Sequence, residues 1–382
     1  MQDSTHYTPP DNVRAITNDL ALLPAWYADE GDYVLINTPN PPPLSGCIPA
    51  TLHITPLARK DIKAQAALLP RFKAAPWGLS RQSVRLFDDL RNEGLAVDGP
   101  VWKDEYKSLT SRRTAATCLA GIQQLLPGAN LPLPPVFFSQ PDHIEAWLHQ
   151  HTGPFVLKAP YSSSGRGLLW INGNELSLSG QNRINGWIRK QNAVSIEQAL
   201  HKETDFAMEF YSDGKGNLRY EGLSLFSTNQ RGAYLGNKLQ TQSALRKQLS
   251  NYTGDEALNT VQQALSRVLC DTFANCYTGY LGVDMLIYND KGSFAIHPCV
   301  EINLRYTMGL TAIRLFENHL DPSAEGFFNV LYDRLPGRSY ERHLLMHKAH
   351  PPVFRNGRLL RGYLSLCPVT PLTHYVACIL AS

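Results

Sequence analysis

The chain has 382 residues, a formal net charge of +3 and seven scattered cysteines. Its length predicts two or three domains or lobes. The net charge is small and the chain has no basic run, so its composition does not indicate a nucleic-acid or membrane partner. The sequence contains no Cys-x-x-Cys pair, which argues for reduced thiols rather than disulfides or a zinc site.

We predict that residues 1–100 form a small separate lobe. The first six residues lack the basic flank and apolar core of a signal peptide, and no apolar run is long enough to span a membrane. We therefore expect a soluble, cytoplasmic protein. Within this lobe, Tyr33–Ile36 is predicted as a strand before a proline-rich loop, and Arg59–Leu69 and Arg81–Glu93 are predicted as helices.

A short apolar strand that ends in a lysine precedes a loop of small residues. The strand is Phe155–Lys158, and the loop is Ser162–Gly167. A lysine can reach nucleotide phosphates as a point charge, and serine and glycine let loop N–H groups approach the oxygens. The Walker order is absent because this lysine comes before the loop. The pattern is typical of a phosphate-covering loop, although an ordinary hairpin loop is the simpler explanation of the segment taken alone.

A candidate substrate segment follows further along the chain. Leu218–Thr228 alternates as a strand, and residues 229–238 are predicted as a polar, glycine-bearing loop. In this loop, Arg231 and Lys238 are candidates for pairing with a substrate carboxylate. A solvated surface loop is an equally good explanation. After it, Asp255–Cys276 has the apolar periodicity of a helix that supports the core.

Two predicted strands bring two carboxylates and an amide to one point. Asp284 lies on the first strand and Glu301 on the second, and the turn-like sequence Tyr288–Ser293 predicts a hairpin between them. Because successive side chains of a strand point to opposite faces, Glu301, Asn303 and Arg305 share one face. Oxygen ligands without thiol or imidazole suit Mg²⁺, which normally arrives with nucleotide phosphates. Acidic residues at strand ends are also common without a metal, and that alternative stays open here.

Taken together, the lysine-and-loop segment and the metal-like strands resemble the ATP-grasp superfamily of ATP-dependent carboxylate–amine ligases. The resemblance covers roughly Val101 to Arg314. It implies an α+β or α/β protein with the ATP-grasp fold, in which two α+β lobes enclose ATP after a smaller α/β N-terminal lobe. The expected domains are residues 1–100 as the N-terminal lobe, 101–193 as the first ATP-grasp subdomain with the phosphate loop, and 194–382 as the second with the metal site and the C-terminal tail.

The resemblance also implies a role for each matching residue. Those expected around the nucleotide are the phosphate lysines Lys107 and Lys158, the loop residues Ser162, Ser163, Ser164, Gly165, Arg166 and Gly167, the hinge acid Glu197, and the ribose acid Asp205. Those expected around the metal are the ligands Asp284, Glu301 and Asn303, with Arg305 meeting the charge on the transferred phosphoryl group. Lys158 and Arg305 are the expected catalytic cations.

One position departs from the family pattern. Some members carry an arginine two residues before the first metal aspartate, and here that position is Gly282. Arg305, helped by Arg166 or Arg231, then has to supply the missing charge. The sequence leaves open whether His297 and Cys299, which come earlier on the strand of Glu301, line the site.

The implied activity is an ADP-forming ligase reaction. ATP phosphorylates a substrate carboxylate to an acyl phosphate, and an amine displaces phosphate to form an amide or peptide-like bond. The implied cofactors are ATP and two Mg²⁺ ions, for which Mn²⁺ can substitute. The expected partners are a small-molecule carboxylate and an amine, with a homodimer as the suggested assembly. A phosphotransferase acting on a hydroxyl and a non-catalytic ATP-binding protein are the alternatives, and the sequence identifies neither substrate.

Overall fold

The computed structural model describes residues 8–37, 54–162, 167–229 and 234–382. In these ranges, the helices are α1 (Asp11–Asp19), α2 (Arg59–Gln65), α3 (Arg81–Asn92), α4 (Glu105–Leu109), α5 (Arg112–Leu125), α6 (Pro141–His149), α7 (Leu178–Gln191), α8 (Gln242–Thr253), α9 (Asp255–Phe273), α10 (Met308–His319) and α11 (Arg338–Ala349). The first strands are β1 (Tyr33–Ile36), β2 (Thr55–Ala58), β3 (Phe72–Lys73), β4 (Val97–Asp98), β5 (Val136–Phe138), β6 (Phe155–Lys158), β7 (Leu168–Ile171), β8 (Val194–Gln198) and β9 (His201–Asp213). The remaining strands are β10 (Leu218–Thr228), β11 (Tyr234–Leu239), β12 (Thr278–Asp290), β13 (Ser293–Asn303), β14 (Gly326–Tyr332), β15 (Val353–Arg355), β16 (Arg358–Ser365) and β17 (Tyr375–Ala381).

The chain divides into two compact units. The first unit contains Lys103–Tyr234 and Arg246–Arg305, and the second contains the described parts of Gln2–Trp102 together with Leu235–Leu245 and Tyr306–Ser382. The second unit therefore combines segments from both ends of the chain. The division into residues 1–100, 101–193 and 194–382 stays a prediction.

A small antiparallel sheet forms one part of the first unit. Its strand order is β5-β8-β6-β7. The strands are short and rich in apolar and β-branched residues, which suits a half-buried sheet. Phe155 and Leu157 of β6 pack with Ile144 and Leu148 of α6 and Ile184 of α7. This core fixes the strand at whose end Lys158 lies.

A larger antiparallel sheet forms the other part of the first unit, in the order β13-β12-β9-β10. Along β9, Phe206, Met208 and Phe210 alternate with Asp205 and Glu209, so the strand has one apolar and one mainly polar face. Helices α5 and α9 pack on this sheet. The predicted stripe of α9 is confirmed by its buried residues Leu258, Val261, Leu265 and Leu269.

The second unit contains the antiparallel strands β11-β14-β17-β16-β15. Its main core includes Trp26, Phe328 and Ile379, and the Trp26 indole Nε1 donates to the Leu366 carbonyl over 2.6 Å. The parallel pairs β1–β2 and β3–β4 lie in the same unit, together with α2 and α3. Ser80 caps α3 in a capping box with Ser83, as the polar start of that helix requires.

Most predicted elements are present, but several boundaries differ. The α-helix predicted from Arg59 to Leu69 ends at Gln65. The predicted loop at residues 229–238 is in part strand, because residues 236–239 of β11 pair with β14. Helix α5 begins at Arg112, where the Ser111 hydroxyl caps it by accepting from the Arg113 N–H. Helix α9 ends at Phe273 rather than at Cys276. In the described parts of the chain, no helix is long and apolar enough to cross a membrane.

Candidate active site

The predicted carboxylate pair is present in the register of β12 and β13. Asp284 lies directly opposite Glu301, and Asn303 lies opposite Gly282, two positions further along the ladder. The turn between the strands places Lys291 and Gly292 at φ values of 53° and 96°, which is the left-handed pair that a tight hairpin needs. The hairpin prediction is thus confirmed, and an irregularity in the ladder between Asp284 and Leu286 shifts the register so that the two carboxylates lie side by side.

A chain of hydrogen bonds orders the polar groups of this pair. The Asn303 amide Nδ2 donates to Asp284 Oδ2 over 3.1 Å, and Arg305 Nη2 donates to Asn303 Oδ1 over 3.1 Å. Burial raises the pKa of Asp284 to about 7, the neighbouring Glu301 adds to the rise, and Arg305 opposes it. A positive charge between the two carboxylates would remove the repulsion that raises this pKa.

This donor set fits Mg²⁺ that is shared with a nucleotide. Within the described residues, no group of three or more His, Cys, Asp or Glu side chains could hold a metal ion. Asp284, Glu301 and Asn303 offer two carboxylates and one amide oxygen, all hard ligands. Magnesium ordinarily keeps several waters and binds through one or two carboxylates plus substrate phosphates. The residues present therefore suit an ion whose other ligands come from a nucleotide.

Lys158 supplies a buried cation on the small sheet. Its ammonium contacts the carboxylate of Glu197 on β8, and both side chains are about nine-tenths buried. Burial lowers the pKa of Lys158 to about 7, Arg112 lowers it further, and Glu301 opposes the shift. Glu301 is therefore close enough to Lys158 to favour its charged form. The hinge role predicted for Glu197 stays a prediction.

The two ends of the predicted phosphate loop meet. The Ala159 N–H donates to the Gly167 carbonyl over 3.0 Å, and a Cβ at Gly167 would lie 2.2 Å from the Ser162 Cβ. Both backbone groups of Tyr161 bond the side chain of Gln191 in α7. Only glycine fits where the loop closes. The expected phosphate contacts Ser163, Ser164, Gly165 and Arg166 lie outside the described residues.

Two other expected nucleotide residues lie in the first unit. Lys107 belongs to α4, with its Nζ 5.7 Å from the centre of the Tyr161 ring at the start of the loop. Asp205 accepts hydrogen bonds from Lys202 Nζ over 2.6 Å and from Thr228 Oγ1 over 2.7 Å. Its charge adds to the raised pKa of Asp284, so it faces the carboxylate pair. The phosphate and ribose roles of these residues stay predictions.

The structure does not show the two candidate substrate residues, Arg231 and Lys238, together in one loop. Arg231 lies outside the described residues. Lys238 lies in β11 of the second unit, opposite Phe327 of β14. A strand position was not expected, because glycine and polar residues in this segment suggested a loop. The substrate role of both residues stays a prediction.

Sequence reasoning missed Arg112, which connects the two sheets of the first unit. Its Nη1 donates to the Ala159 carbonyl over 2.6 Å and to Ser162 Oγ over 2.8 Å. Its Nη2 donates to Glu301 Oε2 over 2.8 Å. The side chain is only 9% exposed. Ser111 was the available signal, since a serine cap places this arginine at the first position of a helix.

His297 lies on β13, the strand that also carries Glu301. It lies opposite Leu286, beyond an irregularity in the β12–β13 ladder, and it is buried. Burial and the charge of Lys158 lower the pKa of His297 to about 3, so the imidazole is neutral near neutral pH. Cys299 donates its backbone N–H to His297 Nδ1 over 3.4 Å. A neutral imidazole adds no positive charge to that of Lys158 and Arg112.

Comparisons with known proteins identify the fold. No protein-family model and no curated protein matches the chain. Among solved structures, N5-carboxyaminoimidazole synthetase from Staphylococcus aureus, complexed with ADP, matches 96% of this chain and 90% of its own, with a TM-score of 0.51 and 12% identity. Biotin carboxylase from Campylobacter jejuni, in its β-γ-ATP complex, matches 95% and 85%, with a TM-score of 0.54 and 12% identity.

A third similar structure is the biotin carboxylase domain dimer of 2-oxoglutarate carboxylase from Hydrogenobacter thermophilus, in complex with MgADP, ADP and bicarbonate. It matches 95% of this chain and 83% of its own, with a TM-score of 0.50 and 11% identity. These neighbours are members of the ATP-grasp superfamily, and at such identities their likeness concerns the fold. The expected α+β architecture is confirmed: the chain has the ATP-grasp fold.

Proposed function

We propose that the protein is an ATP- and Mg²⁺-dependent, ADP-forming ligase that activates a substrate carboxylate for attack by an amine. One observation carries the proposal. In the first unit, the buried cations Lys158 and Arg112 and the facing carboxylates Asp284 and Glu301 form one electrostatically linked group. This is the charge pattern that a nucleotide triphosphate with its metal needs.

Each residue then has a defined task. Asp284, Glu301 and Asn303 would hold Mg²⁺, which supplies neutralising charge at the phosphate oxygens. Lys158 and Arg112 offer cations to the same oxygens. Arg305, held by Asn303, would meet the charge that develops on the transferred phosphoryl group. Phosphoryl transfer depends mainly on positioning and electrostatics, so no covalent help from the protein is required.

The chemistry proceeds in two displacements. A substrate carboxylate oxygen attacks the γ-phosphorus of ATP, the bond to the β-γ bridging oxygen breaks, and ADP leaves. An amine then attacks the acyl carbon, and phosphate departs with the former carboxylate oxygen as an amide forms. The named activities of the similar structures support a ligase, and bicarbonate in the Hydrogenobacter complex is consistent with a small carboxylate-like substrate.

Several finer features belong to the same proposal. Two Mg²⁺ ions, replaceable by Mn²⁺, are proposed on the strength of the family resemblance, and the cytoplasmic location expected from the sequence stays a proposal. A homodimer is proposed because the similar Hydrogenobacter domain is a dimer. A phosphotransferase could use the same nucleotide groups on a hydroxyl acceptor. The complete set of metal-type ligands argues against a protein that only binds ATP.

The deciding experiment measures ADP and phosphate release from Mg-ATP against a matrix of amino acids, dipeptides and small carboxylates including bicarbonate, with and without amines. A ligase releases both products only when carboxylate and amine are present. With ¹⁸O in the carboxylate, one ¹⁸O must appear in the phosphate. ADP formation without free phosphate would indicate a phosphotransferase, and bound ATP without turnover throughout the matrix would favour the non-catalytic alternative. Glu301→Gln serves as the inactive control.

A further inference from the structure

We infer that Arg112 is a charge-exchange residue: it neutralises Glu301 in the nucleotide-free protein, then releases it to a divalent cation and transfers to the nucleotide phosphates. The inference rests on the proposed nucleotide site. Its starting point is that one of the two carboxylates suited to a metal is already paired with an arginine. The Nη2 of Arg112 lies 2.8 Å from Glu301 Oε2.

The pairing is too buried to be an incidental surface contact. The Arg112 side chain is 9% exposed, and that of Glu301 is 29% exposed. Glu301 is only partly buried, but Asp284 lies directly opposite it on the next strand, so the two carboxylates repel each other unless a counter-charge is near. In the absence of a metal, Arg112 therefore offsets the repulsion within the carboxylate pair. A divalent cation binding there would occupy the same carboxylate and repel the guanidinium.

The other atoms of Arg112 indicate where its charge goes. Its backbone N–H donates to the Pro160 carbonyl over 3.1 Å, and Nη1 contacts Ala159 and Ser162 at the start of the phosphate loop. Its Nε is buried and has no hydrogen-bond partner in the described part of the chain. A buried donor without an acceptor is costly and points to a ligand oxygen. The guanidinium is thus held at the start of the phosphate loop, and its Nε is available to donate to a phosphate oxygen.

Exchange of this kind makes a prediction that simple stabilisation does not. If Arg112 competes with the metal for Glu301, removing it strengthens metal binding in the absence of nucleotide and weakens nucleotide binding. If it only positions Glu301, removing it weakens both. The two roles therefore differ in the sign of one measurable effect.

The experiment titrates Mn²⁺ into the full-length protein and follows the free-ion electron paramagnetic resonance signal, with and without the ATP analogue AMPPNP. For Arg112→Gln, we expect nucleotide-free Mn²⁺ affinity to rise about fivefold or more, within the usual range of site coupling. AMPPNP affinity should fall about tenfold by the same measure of coupling. Adding Glu301→Gln to Arg112→Gln should abolish the gain in Mn²⁺ affinity.

Two further variants keep the test decisive. Arg112→Lys retains the positive charge, so it separates loss of the charge from a folding defect. Its Mn²⁺ affinity should stay near the wild-type value. Its AMPPNP affinity should still fall, because an ammonium cannot replace the several N–H donors of the guanidinium. Arg113→Gln is the matched control, since its guanidinium lies over the Phe137 ring and should affect neither affinity. Unchanged or weaker Mn²⁺ binding by Arg112→Gln overturns the exchange. Failure of the wild type to bind Mn²⁺ with AMPPNP would instead overturn the proposed function.

Discussion

The two sheets of the first unit contribute opposite charges, and they hold them in different ways. The larger sheet carries Asp284 and Glu301 inside long strands, where the register of one hairpin sets them opposite each other. The small sheet carries Lys158 at the end of a four-residue strand, and the residues that follow it bond to other segments, as where the Pro160 carbonyl accepts from the Arg112 N–H. The acidic half is fixed by local pairing, whereas the cationic half is fixed by tertiary packing. Substitutions should therefore affect the two halves differently.

The largest effect is expected from the acidic half. Glu301→Ala or Asp284→Ala should lower turnover by about a thousandfold, comparable to the loss of a strong electrostatic contact in an active site. The fold should persist, because strand register does not depend on these side chains. Steady-state ADP release, with circular dichroism as the folding check, measures both. Asp290→Asn, at the turn end of β12, is the matched control, and activity retained by Glu301→Ala would remove Glu301 from the site.

A smaller effect is expected from the cation of the small sheet. Lys158→Met should weaken nucleotide binding by about 2 kcal/mol, or roughly thirtyfold, because a charge-assisted contact is lost. AMPPNP titration by calorimetry gives the value. Lys190→Met, in the exposed last turn of α7, should leave binding unchanged. Equal affinities of the Lys158 variant and the wild type would exclude this lysine from phosphate binding.

Closure of the phosphate loop should be sensitive to one methyl group. In Gly167→Ala, the added Cβ would meet the Ser162 side chain at 2.2 Å, so Ser162 or residue 167 must move, at a cost of about 1–3 kcal/mol. Gly186→Ala in α7 meets nothing within 4 Å and should stabilise slightly through helix propensity. Thermal unfolding and AMPPNP affinity compare the two variants. A Gly167→Ala protein as stable and as tight-binding as Gly186→Ala would contradict the observed closure.

The smallest effect concerns pH. Lys158 carries its proton below its pKa of about 7 and loses it above, so its attraction for phosphate is strongest at the acidic end. AMPPNP affinity measured in EDTA should therefore fall as pH rises from 6 to 9. Asp284, whose pKa is also raised to about 7, loses its proton over the same range and adds to the fall, so the contribution of the lysine is read from the comparison with Lys158→Arg. Lys158→Arg should flatten the profile, since arginine stays charged throughout, and parallel profiles would refute the assignment.

The sequence predicted the acidic half more completely than the cationic half, for a physical reason. Strand alternation and turn chemistry are local, so the hairpin of Asp284 and Glu301 followed from a short segment, although the irregularity that aligns these two residues was not predicted. Arg112 approaches Glu301 only because the start of α5 packs beside the end of β6, and no local pattern encodes that contact. Lys238 was misplaced because a strand with glycine and polar residues resembles a loop until its partner strand is known.

The most direct test of the account is a calorimetric titration of the wild-type protein with AMPPNP in the presence of Mg²⁺. We expect saturable one-to-one binding that weakens when EDTA removes the metal and weakens again in Lys158→Met and Glu301→Ala. Binding that is indifferent to the metal and to both substitutions, or no binding at all, would contradict the claim that the two sheets form one Mg²⁺-nucleotide site.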